Sequence, residues 1–386
     1  MQVITSSLKA VRTHLGMDVA FVGRFEDGRR IYEFVDAGEL RCPVQQGHSD
    51  PLEGTYCDLV ASGRIPELIP DTAEVVEVAD IPVTRELPVG SHISVPLRTA
   101  TGDTFGTFCC FSREPDPSLS QRDLDVLKVV GEVVGEHLHS LLGHREAHDE
   151  ARARVTEVLD RGGPAMALQP IVNLRGDRVS GYEALARFPG DIGWTPDRWF
   201  AEARAVDLGP ELEVSALAAA LRLLPRLPHG ASLAVNVSAH ALATSEDVVT
   251  LMSRHQPSRL ILEVTEHERL VLDSITSDRL GRLRASGVRV AVDDAGSGYA
   301  GLEHILQVSP DVLKLDRSLV AGIDEDPARQ AMCDAMVRFS ARTGAMLVAE
   351  GVETKVQLKV LRQLGVRFAQ GYLLGRPEIW GPEASA

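Results

Sequence analysis

Along the second half of the sequence, short apolar runs repeatedly end in a side chain that could bind a cation, hold a proton or hydrogen-bond a ligand. In chain order these are Glu183 after "RVSGY", Asn236 in "AVNVS", Glu263 in "LILEVTE", Asp293 and Asp294 in "VRVAVDD", Lys314 in "LKLD", Glu350 in "LVAE" and Gln370 in "FAQG". Alone, the stretch "RVAVDDAGSGYAGL" at 289–302 reads as turn chemistry, because Asp bonds its own backbone and Gly tolerates positive φ. The recurrence of polar run ends argues for more than a turn. Carboxylates with one amide, and no His or Cys among them, form the ligand set of hard cations such as Mg²⁺ or Mn²⁺. Several carboxylates gathered within a few ångströms cannot all stay ionised without cations between them. Two metals sharing a carboxylate would clamp both oxygens of a phosphoryl displacement and activate a water.

That chemistry requires the run ends to meet. From residue 165 onward, apolar runs alternate with helical segments: "ASLAVNV" with "SEDVVTLMSRH", "RLILEVT" with "SITSDRLGRLRAS", "VRVAVDD" with "YAGLEHIL", and "AMLVAE" with "TKVQLKVLRQL". The alternation predicts βαβ units on a parallel sheet, enough of them to close a (β/α)₈ barrel, whose strand ends converge on one face, although periodicity alone leaves an open sheet as the alternative.

Residues 169–188, "QPIVNLRGDRVSGYEALARF", carry Glu-Ala-Leu at 183–185 and Arg187 two places on. With "NVS", "LEVTE", "VDDAGSGY", "LKLD", "AEGVE" and "QGYLLGRP" in order, the region from about 165 to 380 resembles the EAL domain, a TIM-barrel phosphodiesterase of cyclic di-GMP. The resemblance implies hydrolysis of cyclic di-GMP to linear pGpG; a receptor that binds without turnover is the alternative. It implies one metal on Glu183, Asn236, Glu263 and Asp293, and a second on Asp293, Asp294 and Glu350. Lys314 would act on the attacking water and Glu353 would support the metal site. Gln169, Arg187 and Gln370 would contact substrate, and Glu266 would anchor the loop after Asp294. Ala295 and Ser297 replace the aromatic and the threonine of the family's loop, and Arg204 stands where the first helix usually carries Glu.

The first half reads differently. "DVAFVGRF" and "RRIYEFVDAG" predict strands, and "SHISVPLRTATGDTFGTFCCFS" predicts a hairpin turning at Thr-Gly-Asp. Residues 94–134 resemble the last hairpin and exit helix of a GAF domain, an α+β sensor fold, which implies an unidentified small-molecule or protein input. Leu124, Leu127, Gly131, Val134, Leu138 and Leu141 recur in three- and four-residue steps, the period of a packed seam. An apolar stripe of that length predicts a second helix upon it, hence a homodimer, with packing of the stripe against its own sheet as the alternative. The pattern loosens after residue 142, and "DRGGPA" breaks it. The expected organisation is a GAF-like domain at 1–142, a helical connector at 143–164 and the EAL barrel at 165–386.

A formal net charge of −15 excludes a generic nucleic-acid binder, which needs many cations for phosphates. No apolar run reaches the eighteen or so residues of a membrane span, and the N-terminus lacks a signal-peptide pattern, so a cytoplasmic location with no membrane partner is expected. The five cysteines show no C-x-x-C pair and read as buried or free thiols, with a redox or ligand role for Cys57 or Cys42 as the lesser alternative. His137, His144 and His148 read as a solvated helix face, Trp194 and Trp199 as packing rather than stacking on a base, and Asn236-Val237-Ser238 as a strand end rather than a glycosylation site.

Overall fold

The computed structural model describes the chain apart from residues 1, 39–41, 43, 80, 82–83, 85–86, 100, 191–192, 266–272, 296–301 and 381–386, and the side chains of 79, 265, 294–295 and 302–304. It divides into two units, Met1–Ala147 and His148–Ala386.

The first unit is an antiparallel sheet of β1 (Val19–Glu26), β2 (Arg29–Asp36), β3 (Ser49–Pro51), β4 (Leu68–Ile69), β5 (Ser91–Arg98) and β6 (Thr104–Ser112), in the order β3-β2-β1-β6-β5-β4. Strand alternation sorts its side chains onto two faces. Ala20, Val22, Ile93, Val95, Phe108 and Cys110 face α1 (Gln2–His14) and the start of a long helix; Val19, Phe21, Tyr32, Cys109 and Phe111 face α2 (Tyr56–Ala61) and α3 (Val76–Ala79).

The long helix, α4 (Gln121–Asp160), takes the alternative reading of its seam. Leu124, Leu127, Val134 and Leu138 are all buried, packed with Ile4 and Leu8 of α1 and Val95 and Leu97 of β5. A Cβ on Gly131 would lie 2.8 Å from Val95 Cγ2, so the seam's small residue lets the helix approach the sheet. The stripe is therefore covered within its own unit, and the reason for expecting a dimer disappears. At roughly 1.5–3 kcal/mol for each fully buried leucine, this packing is a main source of the unit's stability. The helix runs through the residues where the apolar pattern loosens; His137, His144 and His148 are exposed there, as expected. Its last turns bury Ala151, Val155 and Val158 among Trp199, Ala203, Val206 and Leu212 of the second unit.

The second unit is a closed barrel of β7 (Ala165–Asn173), β8 (Arg178–Arg187), β9 (Ser232–Ser238), β10 (Leu260–Thr265), β11 (Arg289–Ala295), β12 (Val312–Leu315), β13 (Met346–Ala349) and β14 (Phe368–Ala369). β14 pairs back to β7, and a short β15 (Glu378–Ile379) adds to β7 outside the ring. The TIM-like barrel stands, with one refinement: β8 to β14 are parallel, whereas β7 is antiparallel to both neighbours. Only Leu174–Asp177 joins β7 to β8, too few residues for the crossover that a parallel pair needs. Asp177 takes a left-handed φ of 46° at that hairpin.

Outward strand residues such as Leu233, Val235, Leu262, Val290, Leu313 and Leu347 pack with the surrounding helices. Inward, Ile171, Ala234, Ile261, Ala291, Val312 and Val348 form a separate apolar layer that fills the barrel. Among the described residues no helix is long and apolar enough to cross a membrane.

Candidate active site

The site lies one inward step beyond that apolar layer. Residues i and i+2 of a strand share a face, so Ala234 leads to Asn236, Ile261 to Glu263, Ala291 to Asp293, Val312 to Lys314 and Val348 to Glu350. In the reversed β7 the step runs backwards, from Ile171 to Gln169. Glu183 enters through register, opposite Gln169 on one side and beside Ala234 on the other. It stands within β8, not at its end as its place after "RVSGY" suggested. Glu350 and Gln370 lie just past their strands but stay in the ladder: Glu350 N–H donates to Leu315 O at 3.1 Å and Gln370 N–H to Ala349 O at 2.8 Å.

Lys314 stands at the centre, 1% exposed. Its Nζ is 2.7 Å from Glu350 Oε1, 2.9 Å from Glu263 Oε2, 3.3 Å from Asp293 Oδ2 and 3.5 Å from Glu183 Oε1. Amides complete the ring. Asn236 Nδ2 donates to Glu183 Oε1 at 3.1 Å, while Gln370 Nε2 donates to Glu183 Oε2 at 2.6 Å and to Gln169 Oε1 at 2.9 Å. Gln169 Nε2 reaches Gly375 O at 3.1 Å. A Cβ at Gly375 would fall 2.3 Å from Pro170 Cγ, so only glycine lets this loop come so close to β7.

Four carboxylates facing one ammonium leave three negative charges uncompensated if all ionise (4 − 1 = 3). Burial disfavours charge at Glu183, but the Lys314 charge and the hydrogen bonds from Gln370 and Asn236 outweigh it and hold that carboxyl below its usual range. At Glu263 burial wins: it pushes the carboxyl well up against the pull of Lys314, aided by Glu183, Asp293 and Glu350. Glu350 is pushed up to about 8, by burial first, against Lys314, and then by Asp293 and Glu183. Burial lowers the Lys314 ammonium, yet the surrounding carboxylates raise it well above its ordinary value. The cluster thus retains protons where divalent cations would supply the missing charge. Its all-oxygen donors, with the buried and unpartnered Gln370 Oε1 beside them, fit Mg²⁺ or Mn²⁺. Among the described residues no three His, Cys, Asp or Glu side chains are disposed as a metal-binding group, and the Lys314 ammonium stands among the four carboxylates.

The structure thus brings together Gln169, Glu183, Asn236, Glu263, Asp293, Lys314, Glu350 and Gln370. Arg187 closes β8, half-buried, with Nη1 donating to Ala186 O at 2.9 Å. Glu353 is exposed beyond Glu350, its N–H donating to the same Gln357 Oε1 that accepts from Thr354 in the capping box of the helix Lys355–Gln363; no described contact links it to the cluster. Glu266 and the side chain of Asp294 lie outside the described residues.

Sequence reasoning missed Glu213. This buried carboxylate of the helix Gly209–Leu221 accepts from both Ser238 N–H and Ser238 Oγ at 2.7 Å, pinning the end of β9 two residues beyond Asn236. The available signal was an acid inside "LEVSALAAAL", where nothing else is charged. Trp199 is buried and stacked on Phe188 with centroids 5.0 Å apart, and Trp194 packs edge-on against it, so both serve packing. Asn236 points into the barrel cluster, which removes it as a glycan acceptor.

The sequence profile of the EAL domain matches residues 152–377, and that of the GAF domain residues 2–139. Cyclic di-GMP phosphodiesterase RocR of Pseudomonas aeruginosa is 30% identical over 297 residues, covering 69% of this chain and 76% of RocR. "Probable cyclic di-GMP phosphodiesterase PdeG" of Escherichia coli K12 is 33% identical over 220 residues, covering 54% of this chain and 43% of PdeG. The chain spans less than half the length of most curated relatives it matches. Among solved structures, the manganese and cyclic di-GMP complex of Klebsiella pneumoniae BlrP1 at pH 6 is 35% identical with a TM-score of 0.51, covering 56% of each chain. The PaMucR phosphodiesterase in complex with cyclic di-GMP is 30% identical with a TM-score of 0.53, covering 60% of this chain and 98% of that one.

Proposed function

Since this chain belongs to the EAL domain family and carries an N-terminal GAF domain, we propose that its barrel hydrolyses one phosphodiester of cyclic di-GMP to linear pGpG in the cytoplasm, under control of the GAF domain. The observation that carries this reading is the convergence of Glu183, Glu263, Asp293 and Glu350 on Lys314, with Asn236, Gln169 and Gln370 around them. The names of RocR and of the BlrP1 and PaMucR complexes support the substrate.

Glu183, Asn236, Glu263 and Asp293 would hold one Mg²⁺ or Mn²⁺, and Asp293, Asp294 and Glu350 the other. When bound, such a pair polarises the phosphate and lowers the pKa of a water. In the reaction, the water gives up a proton as its oxygen bonds to phosphorus, the P–O3′ bond breaks, and O3′ takes a proton. Lys314, buried and charged, orients the attacking water through its ammonium. Arg187 offers a planar fork that matches two phosphate oxygens. Gln169 and Gln370 present amides to substrate, and Glu353 supports the metal site from beyond β13.

The test is to incubate purified chain and cyclic di-GMP with Mg²⁺, Mn²⁺, Ca²⁺ or EDTA and to separate the nucleotides. The reading expects pGpG with Mg²⁺ or Mn²⁺, suppression by Ca²⁺, whose longer bonds and higher coordination disturb the two-metal geometry, and none in EDTA. Full turnover in EDTA removes the two-metal mechanism. Tight binding without product under every condition replaces the enzyme with a receptor.

A further inference from the structure

A second cluster of buried reactive groups lies in the first unit, on the face of its sheet covered by α2 and α3. Cys57 on α2 and Cys109 on β6 are both 0% exposed, and their sulfurs are 3.3 Å apart. Arg30 of β2, 4% exposed, donates from Nη1 to Cys57 Sγ at 3.1 Å. Its orientation is fixed by a fork onto Asp50, with Nε to Oδ1 at 3.1 Å and Nη2 to Oδ2 at 2.6 Å. Cys109 Sγ also lies 3.0 Å from Ser94 Oγ and 3.2 Å from Thr107 Oγ1. A guanidinium held against one of two touching thiols is the setting of a nucleophilic sulfur beside its resolving partner.

We propose that Cys57 and Cys109 are a redox modification site, in which the Cys57 sulfur takes an oxygen from a small hydroperoxide and Cys109 then displaces it to close a disulfide. In the first step the sulfur attacks one peroxide oxygen, the O–O bond breaks, and the other oxygen leaves as water after taking a proton. In the second, Cys109 sulfur bonds to Cys57 sulfur, the S–O bond breaks, and that oxygen leaves as a second water. Overall, two thiols and one hydrogen peroxide become one disulfide and two waters; an external dithiol reverses it. From 3.3 Å the sulfurs must close to a bond of about 2.05 Å, a shift within reach of one short helix on a sheet.

The electrostatics agree with this division of labour. Burial disfavours the Cys57 thiolate, but the Cys109 hydrogen bond and the Arg30 charge prevail and bring the thiol down to about 6. Burial and the neighbouring Cys57 push Cys109 well up, as suits a partner that stays protonated until it resolves. Cys110, one residue along β6, faces the opposite side of the sheet, and burial pushes its thiol up, as it does to about 11 for Cys333 in the barrel. Complete burial of the pair restricts the oxidant to a molecule little larger than water. Disulfides formed in reducing compartments are characteristically transient and sensory, so this assignment takes up the lesser alternative that the sequence left for Cys57.

The experiment treats the reduced full chain with a small excess of hydrogen peroxide, then denatures it, alkylates free thiols and maps the peptides by mass spectrometry. The expected product is one Cys57–Cys109 cross-link, two thiols lost, restored by dithiothreitol. Cys109→Ser should leave a sulfenic acid on Cys57, captured by dimedone in the denaturing quench, while Cys57→Ser should leave Cys109 unmodified. Wild-type mapping decides the matter even if a variant fails to fold. Survival of both thiols in peroxide, or a cross-link that recruits Cys42 or Cys110 instead, overturns the proposal. Glutathione disulfide, too large to enter, should react far more slowly than peroxide; an equal rate overturns the assignment to a small hydroperoxide.

Discussion

At the scale of single residues, the candidate site and the sheet of the first unit each depend on buried titratable groups. Replacing Glu183 by Ala or Asp293 by Asn removes a charged carboxylate from the ring, and turnover of cyclic di-GMP should fall to background while circular dichroism stays native; a near-normal rate with metal present would show the site is misassigned. Arg187→Ala should lower kcat/KM without changing the metal concentration needed for half-maximal rate, because the guanidinium serves phosphate rather than cation. His92 offers a stability test. It is 3% exposed with Nδ1 unpartnered, its ring lies 4.8 Å from that of Tyr56, and burial first and the Arg30 charge second bring its imidazolium down to about 3. Between the ordinary histidine value and that one, the unfolded chain binds a proton the folded chain refuses, so stability must fall as pH falls. Denaturant titrations should show a slope of about 1.4 kcal/mol per pH unit below about pH 6.5, absent in His92→Phe. The same acid limb in the variant would acquit His92.

Among the elements, α4 was the least legible. Its three- and four-residue steps were visible, but a seam of that period serves a partner chain or its own domain equally well. What chose between them was α1 and β5, whose Ile4, Leu8, Val95 and Leu97 cover it. Leu127→Asp therefore places a charge in the core, not in an interface. It should destabilise the first unit by on the order of 4 kcal/mol, with an unfolding midpoint independent of protein concentration; a midpoint that rises with concentration would restore the dimer seam. Glu213 makes the complementary point, since an acid within the apolar stretch of an alanine-rich helix announces a buried partner without saying which, and Ser238 is the answer only once the helix lies beside β9.

For the whole molecule, the division at Ala147 and His148 separates a sheet with two filled faces from a barrel with its own inner and outer cores. If the GAF domain controls the barrel, residues 148–386 expressed alone should hydrolyse cyclic di-GMP at a specific activity different from that of the full chain under identical metal conditions. Identical kcat and KM in both would make the first unit a passenger with respect to catalysis.

The sequence by itself determined most of the polar ring, because strand periodicity is local and Asn236, Glu263, Asp293, Lys314, Glu350 and Gln370 each follow an apolar neighbour by two positions in their own run, while the spaced motifs carried the family resemblance and with it the barrel. Only tertiary structure decided three further matters. The hairpin at Leu174–Asp177 reversed β7, so Gln169 reaches the ring from the opposite chain direction. Closure of the ring set Lys314 within 3.5 Å of four carboxylates contributed by four different strands or strand ends, and hence which carboxyls keep their protons. The approach of Cys57 to Cys109, across fifty-two residues, depended on a helix packing onto a sheet. Contacts between distant segments arise from packing, and no periodicity within either segment encodes the distance between them.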